Sequence, residues 1–237
     1  MSGNNQSVSF SRRNLLKFSA GAMGTGVLTA GLGSHLTVPE PAVAQNDMSP
    51  DQALQLLMEG NRRFTSKKLQ NINQNFARLT AVAQTQKPFA AILGCADSRV
   101  PAEIIFDRGF GDLFVCRVAG NIATTEETGS LEFGSLVLGT KVILVLGHER
   151  CGAVDATIKG AQVPGQIASL IDAIKPAIPR SANKPGDRLE NTIKANVLVQ
   201  VEKLKASPVM AQLIQEGKLK IVGGYYDLDT GEVTLVS

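Results

Sequence analysis

Residues 141–153 read KVILVLGHERCGA, and this stretch decides the fold class. Val142 to Leu146 form an unbroken apolar run rich in β-branched side chains, with no polar residue at alternate positions. Such a run suits a strand buried on both faces, and strands of that kind belong to parallel sheets covered by helices. Gly147 ends the run, His148 follows it, and Cys151 stands three residues further on. The chain holds two histidines and three cysteines in 237 residues, so one of each at H-x-x-C directly after a strand asks for a reason.

Three similar runs lie on either side: FAAILG (89–94), LFVCRV (113–118) and LKIVGGYY (219–226). Helical segments alternate with them. SPDQALQLLMEGNRRF opens with Ser49 as an N-cap, Pro50 at the first helical position and Asp51 in the first turn. FARLTAVAQTQ (76–86) reads as a second helix, and Pro101–Phe106, Glu126–Leu138, Ala153–Lys159 and a long stretch from Val163 to Ala206 as further ones. Within that stretch PRSANKPGD (179–187) is predicted to be an exposed loop. The alternation predicts one α/β domain, a central mostly parallel sheet flanked by helices, with two leading N-terminal helices.

Residues 1–44 stand apart. SRRNLLKF (11–18) places Arg12 and Arg13 before a mildly apolar, glycine-rich run, and AVA (42–44) ends it with small residues. The pattern resembles a twin-arginine export signal, which implies a periplasmic or other extracytoplasmic location for a domain spanning 45–237. The apolar run is short and rich in Gly, Ser and Thr for a membrane span, so no stable span is expected once the signal is removed. A formal net charge of +3, much of it in that segment, supports no nucleic-acid surface. Removing the segment also removes His35 and leaves His148 with Cys95, Cys116 and Cys151. Three cysteines in an exported chain are compatible with one disulfide and a spare thiol. The twin-arginine route, however, carries folded proteins, so thiolates that hold a metal inserted beforehand are equally compatible.

In an open parallel sheet the ligand crevice lies beyond the carboxyl ends of the strands. Cys95 follows FAAILG and His148 follows KVILVLG, so a thiol and an imidazole reach the same edge, and Cys151 begins a helix whose N-terminus favours thiolate. Two cysteines and a histidine make a zinc ligand set that leaves a fourth position for water, whose pKa such a metal lowers from about 15.7 to about 7. H-x-x-C alone is weak, since pairs of this kind also occur as packing residues. CADSR (95–99) strengthens it: in extended chain Cys95, Asp97 and Arg99 point the same way. Arg99 is then expected to grip Asp97 with two hydrogen bonds, leaving Asp97 to accept a proton beside the metal. Cys116, inside LFVCRV, reads as a small buried hydrophobe, and Glu149 and Arg150 as charges at the rim.

CADSRV, with GHERCGA placing His148 53 residues after Cys95, is similar to the C-x-D-x-R and H-x-x-C-G signature of β-class carbonic anhydrases. The resemblance runs from about Asp51 to the C-terminus. It implies zinc-dependent reversible hydration of CO2 to bicarbonate and a proton, with one Zn2+ per subunit on Cys95, His148 and Cys151. Asp97 and Arg99 fall on the family's dyad. Gln86 matches a glutamine that donates to bound substrate, Phe114 an apolar pocket wall, and Gly152 a further substrate-binding position. Ala119 stands where plant members carry valine and Phe133 where they carry tyrosine; RVAGN replaces RNIAN.

The resemblance also implies a homodimer or larger assembly, with residues of the Gln86 and Phe114 type meeting across the subunit boundary. In some members Asp97's counterpart closes on the metal as pH falls, in certain cases with bicarbonate in a pocket that includes a tryptophan. This chain has no tryptophan, and the Arg99 pair is expected to keep the site open. A hydrolase of CS2 or COS on the same fold, or a non-catalytic zinc or thiol module, are the alternatives. With no second histidine in the domain, buffer or carboxylates must carry protons away.

Overall fold

The computed structural model describes residues 47–237; the signal assigned to residues 1–44 lies outside them. Helix α1 (Pro50–Thr65) starts as its sequence dictates. Ser49 Oγ accepts from the Gln52 amide, and the Gln52 side chain accepts from the Ser49 amide in return. Its buried residues, Ala53, Leu57, Gly60 and Asn61, recur at helical spacing and define one inward stripe. Gly60 is required there, because a Cβ would come within 1.8 Å of the Phe106 carbonyl oxygen. Helix α2 (Phe76–Val82) follows, capped by the Asn75 side chain.

Five strands form one sheet: β1 (Ala90–Gly94), β2 (Leu113–Arg117), β3 (Val142–His148), β4 (Lys220–Tyr226) and β5 (Val233–Val236), in the order β2-β1-β3-β4-β5. The first four pair in parallel. Every residue of β1 and β3 is buried, which is why their sequences are continuous rather than alternating. One face, through Ile92, Leu144 and Leu146, packs on α1 and on α3 (Ala102–Ile105). The other, through Leu93, Ile143 and Val145, packs under α4 (Thr125–Leu136), α8 (Arg188–Lys205) and α9 (Pro208–Gln215). Each fully buried Leu or Ile side chain contributes about 1.5–3 kcal/mol. Helices α5 (Gly152–Ile158), α6 (Ile167–Ile174) and α7 (Ala177–Ser181) complete the chain.

The structure departs from the sequence reading in three places. β5 is an antiparallel edge strand that the reading lacks. Helix α9, opened by Ser207 and Pro208, lies beyond the last helix expected. The stretch 163–206 is three helices, and the foreseen loop 179–187 begins inside α7. Pro176, which has no amide hydrogen to continue the helical ladder, sits at the first break, and Pro185 with Gly186, the latter at φ 94°, in the second. No helix among the described residues is long and apolar enough to cross a membrane.

The topology places a crevice. From β1 the chain crosses to β2 on one side, then returns to lay β3 on the other. Helical connections therefore leave in opposite directions from the carboxyl ends of β1 and β3, and the loops after these strands diverge around a gap.

Candidate metal centre

Both loops at this gap carry ligating side chains. Gly94 and Leu146 pair in register, so Cys95 just past β1 and His148 at the end of β3 emerge within one residue of the same level. Cys151, N-cap of α5, closes the loop. Ligand atoms of the three lie within 4.8 Å of one another, and all three residues are buried. No disulfide joins the cysteines.

The imidazole supplies the test of what fits. His148 Nδ1 donates to the Glu149 carbonyl oxygen at 2.9 Å, so in a neutral ring Nε2 carries the lone pair. That nitrogen is buried and has no hydrogen-bond partner. A buried polar atom left so costs about 1–3 kcal/mol, and here it lies with two sulfurs. The Cys151 thiol lowers Cys95 to about 4, helped by His148 and by the Gly120 amide, which donates to Sγ at 3.3 Å. Cys151, as donor to Cys95 and deeply buried, is pushed up instead. The Val154 and Ala153 amides at the start of α5 act on Cys151 in the opposite sense, favouring thiolate. Two sulfurs and one imidazole lone pair in a dry site fit Zn2+.

Asp97 is beside this group, its Oδ2 at 3.9 Å from His148 Nε2. Arg99 grips it through both oxygens, Nε to Oδ1 at 2.9 Å and Nη2 to Oδ2 at 2.8 Å. The Arg99 guanidinium holds the Asp97 carboxyl well below the usual carboxylate range. The pairing expected from extended chain is reached differently. Ser98 and Arg99 form a turn, and Asp97 Oδ1 accepts the Arg99 backbone N–H at 2.9 Å, an Asx-turn that aspartate favours over a strand.

Of the other residues singled out, Gly152 follows Cys151 at the start of α5, and Ala119 precedes the Gly120 amide. Phe114 projects from β2 toward Gly134 of α4, half-buried. Phe133 is 45% exposed on the same helix, and Gln86 is exposed before β1. The single chain gathers the metal group and the dyad; it leaves Gln86 and Phe133 open to solvent. Cys116 is half-buried, with burial raising its pKa, and stands apart from the cluster.

Several supports were not read from the sequence. Arg117 donates to the Cys95 and Asp97 carbonyls; a cation ending an apolar strand was the available signal. Asn196 and Gln200 of α8 are buried. Asn196 Nδ2 donates to the Gly120 oxygen at 2.8 Å and Gln200 Oε1 accepts from the Ala123 amide at 3.0 Å. They fasten the loop that presents Gly120 to Cys95. Two amides four residues apart on the buried face of the helix were the trace they left.

Comparison with known proteins agrees with the geometry. Residues 90–233 match the family described as Carbonic anhydrase. Carbonic anhydrase 2 of Mycobacterium tuberculosis is 38% identical over 192 residues, covering 79% of this chain and 93% of that protein. The β-carbonic anhydrase of Coccomyxa, solved with acetazolamide, superposes with a TM-score of 0.61 at 28% identity over 77% of this chain and 86% of the other. One of two tetrameric β-carbonic anhydrases of Sordaria macrospora shares the fold with a TM-score of 0.64 at 22% identity, over 78% and 96%. Strand-end ligands, the carboxylate–guanidinium pair and kinship across most of the domain converge: the chain belongs to the β-class carbonic anhydrases, enzymes of the reversible hydration of carbon dioxide.

Proposed function

We propose that this chain hydrates CO2 with one zinc ion per subunit, held by Cys95, His148 and Cys151. The observation that carries the reading is the buried, unpartnered Nε2 of His148, set between two sulfurs and a carboxylate. Bound by these residues, zinc would supply Lewis acidity for the hydration step. Asp97, ionised and clamped by Arg99, is an acceptor only. It takes a hydrogen bond from a donor facing it and orients that donor toward substrate. The clamp keeps Asp97 from serving as a fourth ligand, because closing on the metal strips Arg99 of both side-chain bonds. Cys95, Ile122, Cys151, Val154 and Tyr225 share an apolar cluster at the gap, a surrounding suited to a small uncharged gas. A structural zinc normally takes four Cys or His ligands, and Cys116 stands outside the group.

We propose further that the working unit is a homodimer or larger. Helix α2 buries none of its residues, Phe76 is 80% exposed and Phe110 is 44% exposed. Gln86 lies on the same stretch, and a second subunit would bring a residue of this kind to the pocket. Export through Arg12 and Arg13 remains part of the proposal; replacing both with lysine should retain the precursor in the cytoplasm. The central experiment is stopped-flow CO2 hydration with zinc content measured on the same sample. About one zinc per subunit with activity supports the reading. A fully active metal-free sample, or turnover of COS or CS2 without CO2 hydration, overturns it.

A further inference from the structure

The side chains of Glu149 and Arg150, the two residues between the ligands, take no part in the chemistry above, yet their contacts are directed. Arg150 has φ 53°, a left-handed backbone that a bulky residue keeps only where its surroundings over-determine it. Its guanidinium forks onto Asp229, Nη1 to Oδ2 at 3.0 Å and Nη2 to Oδ1 at 2.7 Å, and Nη1 also donates to Glu149 at 3.1 Å. Glu149 is tied at three further points: its amide donates to the Tyr226 oxygen at 2.8 Å, its carboxylate accepts from the Leu228 amide at 3.1 Å, and its carbonyl accepts a hydrogen bond from His148 Nδ1 at 2.9 Å.

The far side of these contacts is itself fixed. Asp227 accepts from the amides of Asp229 and Thr230 at 2.9 and 2.8 Å, and Asn61 of α1 donates to the Gly231 oxygen at 2.9 Å. The loop between two metal ligands is thus moored to the β4–β5 turn, and through Asn61 to α1.

We infer that Glu149, Arg150 and Asp229 form a clasp that presets the His148–Cys151 loop for its metal. Three ligands whose free forms repel or share protons gain affinity when the loop is ordered before the ion arrives, since ordering then costs nothing at binding. These are positioning residues: none of their side chains touches the sulfurs. The sequence reading of Glu149 and Arg150 as rim charges is thereby made specific.

The inference rests on the zinc reading, and its test separates the two. Zinc dissociation constants by chelator competition, visible spectra of Co(II)-loaded protein, and kcat and KM are measured for wild type, Asp229→Asn, Arg150→Ala, Arg150→Lys, Arg150→Gly and the double variant Arg150→Ala/Asp229→Asn. Outer contacts of this kind change metal affinity roughly 10- to 100-fold, and an exposed pair places the expectation near tenfold. The double variant should be no weaker than the worse single one. Lysine, which cannot fork, should restore only part of the affinity, and the Co(II) bands should shift in step. Arg150→Gly relieves the backbone but removes the fork, so it should fall with Arg150→Ala. Asp229 is exposed in a turn, so its substitution leaves the folded chain available for measurement. Wild-type affinities and spectra in all variants, or full affinity in Arg150→Gly, overturn the clasp. A wild-type chain that takes up no zinc overturns the zinc reading itself, and the clasp with it.

Discussion

The loops beyond β1 and β3 and the segment between α1 and β1 are both held by buried polar groups, yet they finish differently. At the strand ends donors and acceptors turn inward, and His148 Nε2 is left over among two sulfurs and a carboxylate. The segment is anchored from the stretch between α3 and β2: Asp107 accepts from Gln70 and Asn71, and from Arg63 of α1, and Asp112 accepts from Asn73 with Arg78 nearby. These anchors are internal, but the helix they hold, α2, buries nothing. The first region offers three buried ligand atoms to an ion; the second offers an exposed helix to a second subunit, as proposed above. On that reading, the first region draws its side chains from one chain, whereas the second is covered by another subunit.

The largest expected effect breaks the first region outright. Cys151→Ser replaces a soft thiolate by a hydroxyl that binds zinc poorly, so zinc content should drop to near zero and CO2 hydration to background. Metal analysis and stopped-flow kinetics on one sample check it. Retention of full activity would show that the sulfurs do not hold the working metal.

The anchors of the second region come next. Asp107 is fully buried. Burial pushes its pKa up, but the Arg63 guanidinium and the two backbone amides outweigh this and hold it below its ordinary value. A carboxyl depressed on folding stabilises the fold above its unfolded pKa of about 3.9, and that contribution is lost as pH falls through the lower folded value. Removing one partner of a buried ion pair costs about 3–5 kcal/mol. Asp107→Asn, which keeps a residue tolerant of the left-handed φ of 49°, should cost about 3 kcal/mol at pH 7. Urea titrations should show the gap from wild type narrowing below pH 4. A gap that is constant with pH would mean that the charge is not what Asp107 contributes.

These two sites also mark what the sequence made legible. Unbroken apolar runs announced the four parallel strands, and the order of strands and ligands put Cys95, His148 and Cys151 at one edge, because burial on both faces and strand-end geometry are local rules. The Asp97–Arg99 pair was legible as a contact but not as a turn, since the Asx-turn competes with extension over the same five residues. β5 is four residues long with two of them exposed, too short for a periodic signal. Asp107, Asn61 and Asn196 were silent for a different reason. Each satisfies backbone groups 36 or more positions away, and no local pattern encodes a partner so distant.

Asn196→Ala tests one of those silent residues. It leaves the Gly120 oxygen without its donor and Gln200 Nε2 without an acceptor on Asn196, a loss of about 1–3 kcal/mol. The strand-end region should respond as a unit: stability falls by about 2 kcal/mol in denaturant melts, and zinc affinity weakens because the Gly120 amide no longer sits firmly against Cys95. Lower stability with unchanged zinc affinity would separate the helix from the metal loop and weaken the picture of one inward-turned network.

The smallest effect on the single chain is expected at Phe76, and it sharpens the comparison most. A side chain 80% exposed contributes little to the fold of its own subunit, so Phe76→Ser should change protomer stability by no more than about 0.5 kcal/mol. If α2 completes itself against a second subunit, the same substitution removes a large apolar anchor from an interface, where a buried aromatic can contribute 2 kcal/mol or more to association. Sedimentation velocity across a range of concentrations should then show wild type assembled and Phe76→Ser shifted toward the monomer, with equal zinc content. Activity distinguishes the two regions finally. The zinc group and the Asp97–Arg99 pair lie within one chain, whereas Gln86 and Phe133 face outward. Dissociation should therefore lower kcat/KM while leaving the metal in place. An unchanged sedimentation profile would remove α2 from the interface, and a dissociated chain of full activity would show that the pocket needs no partner.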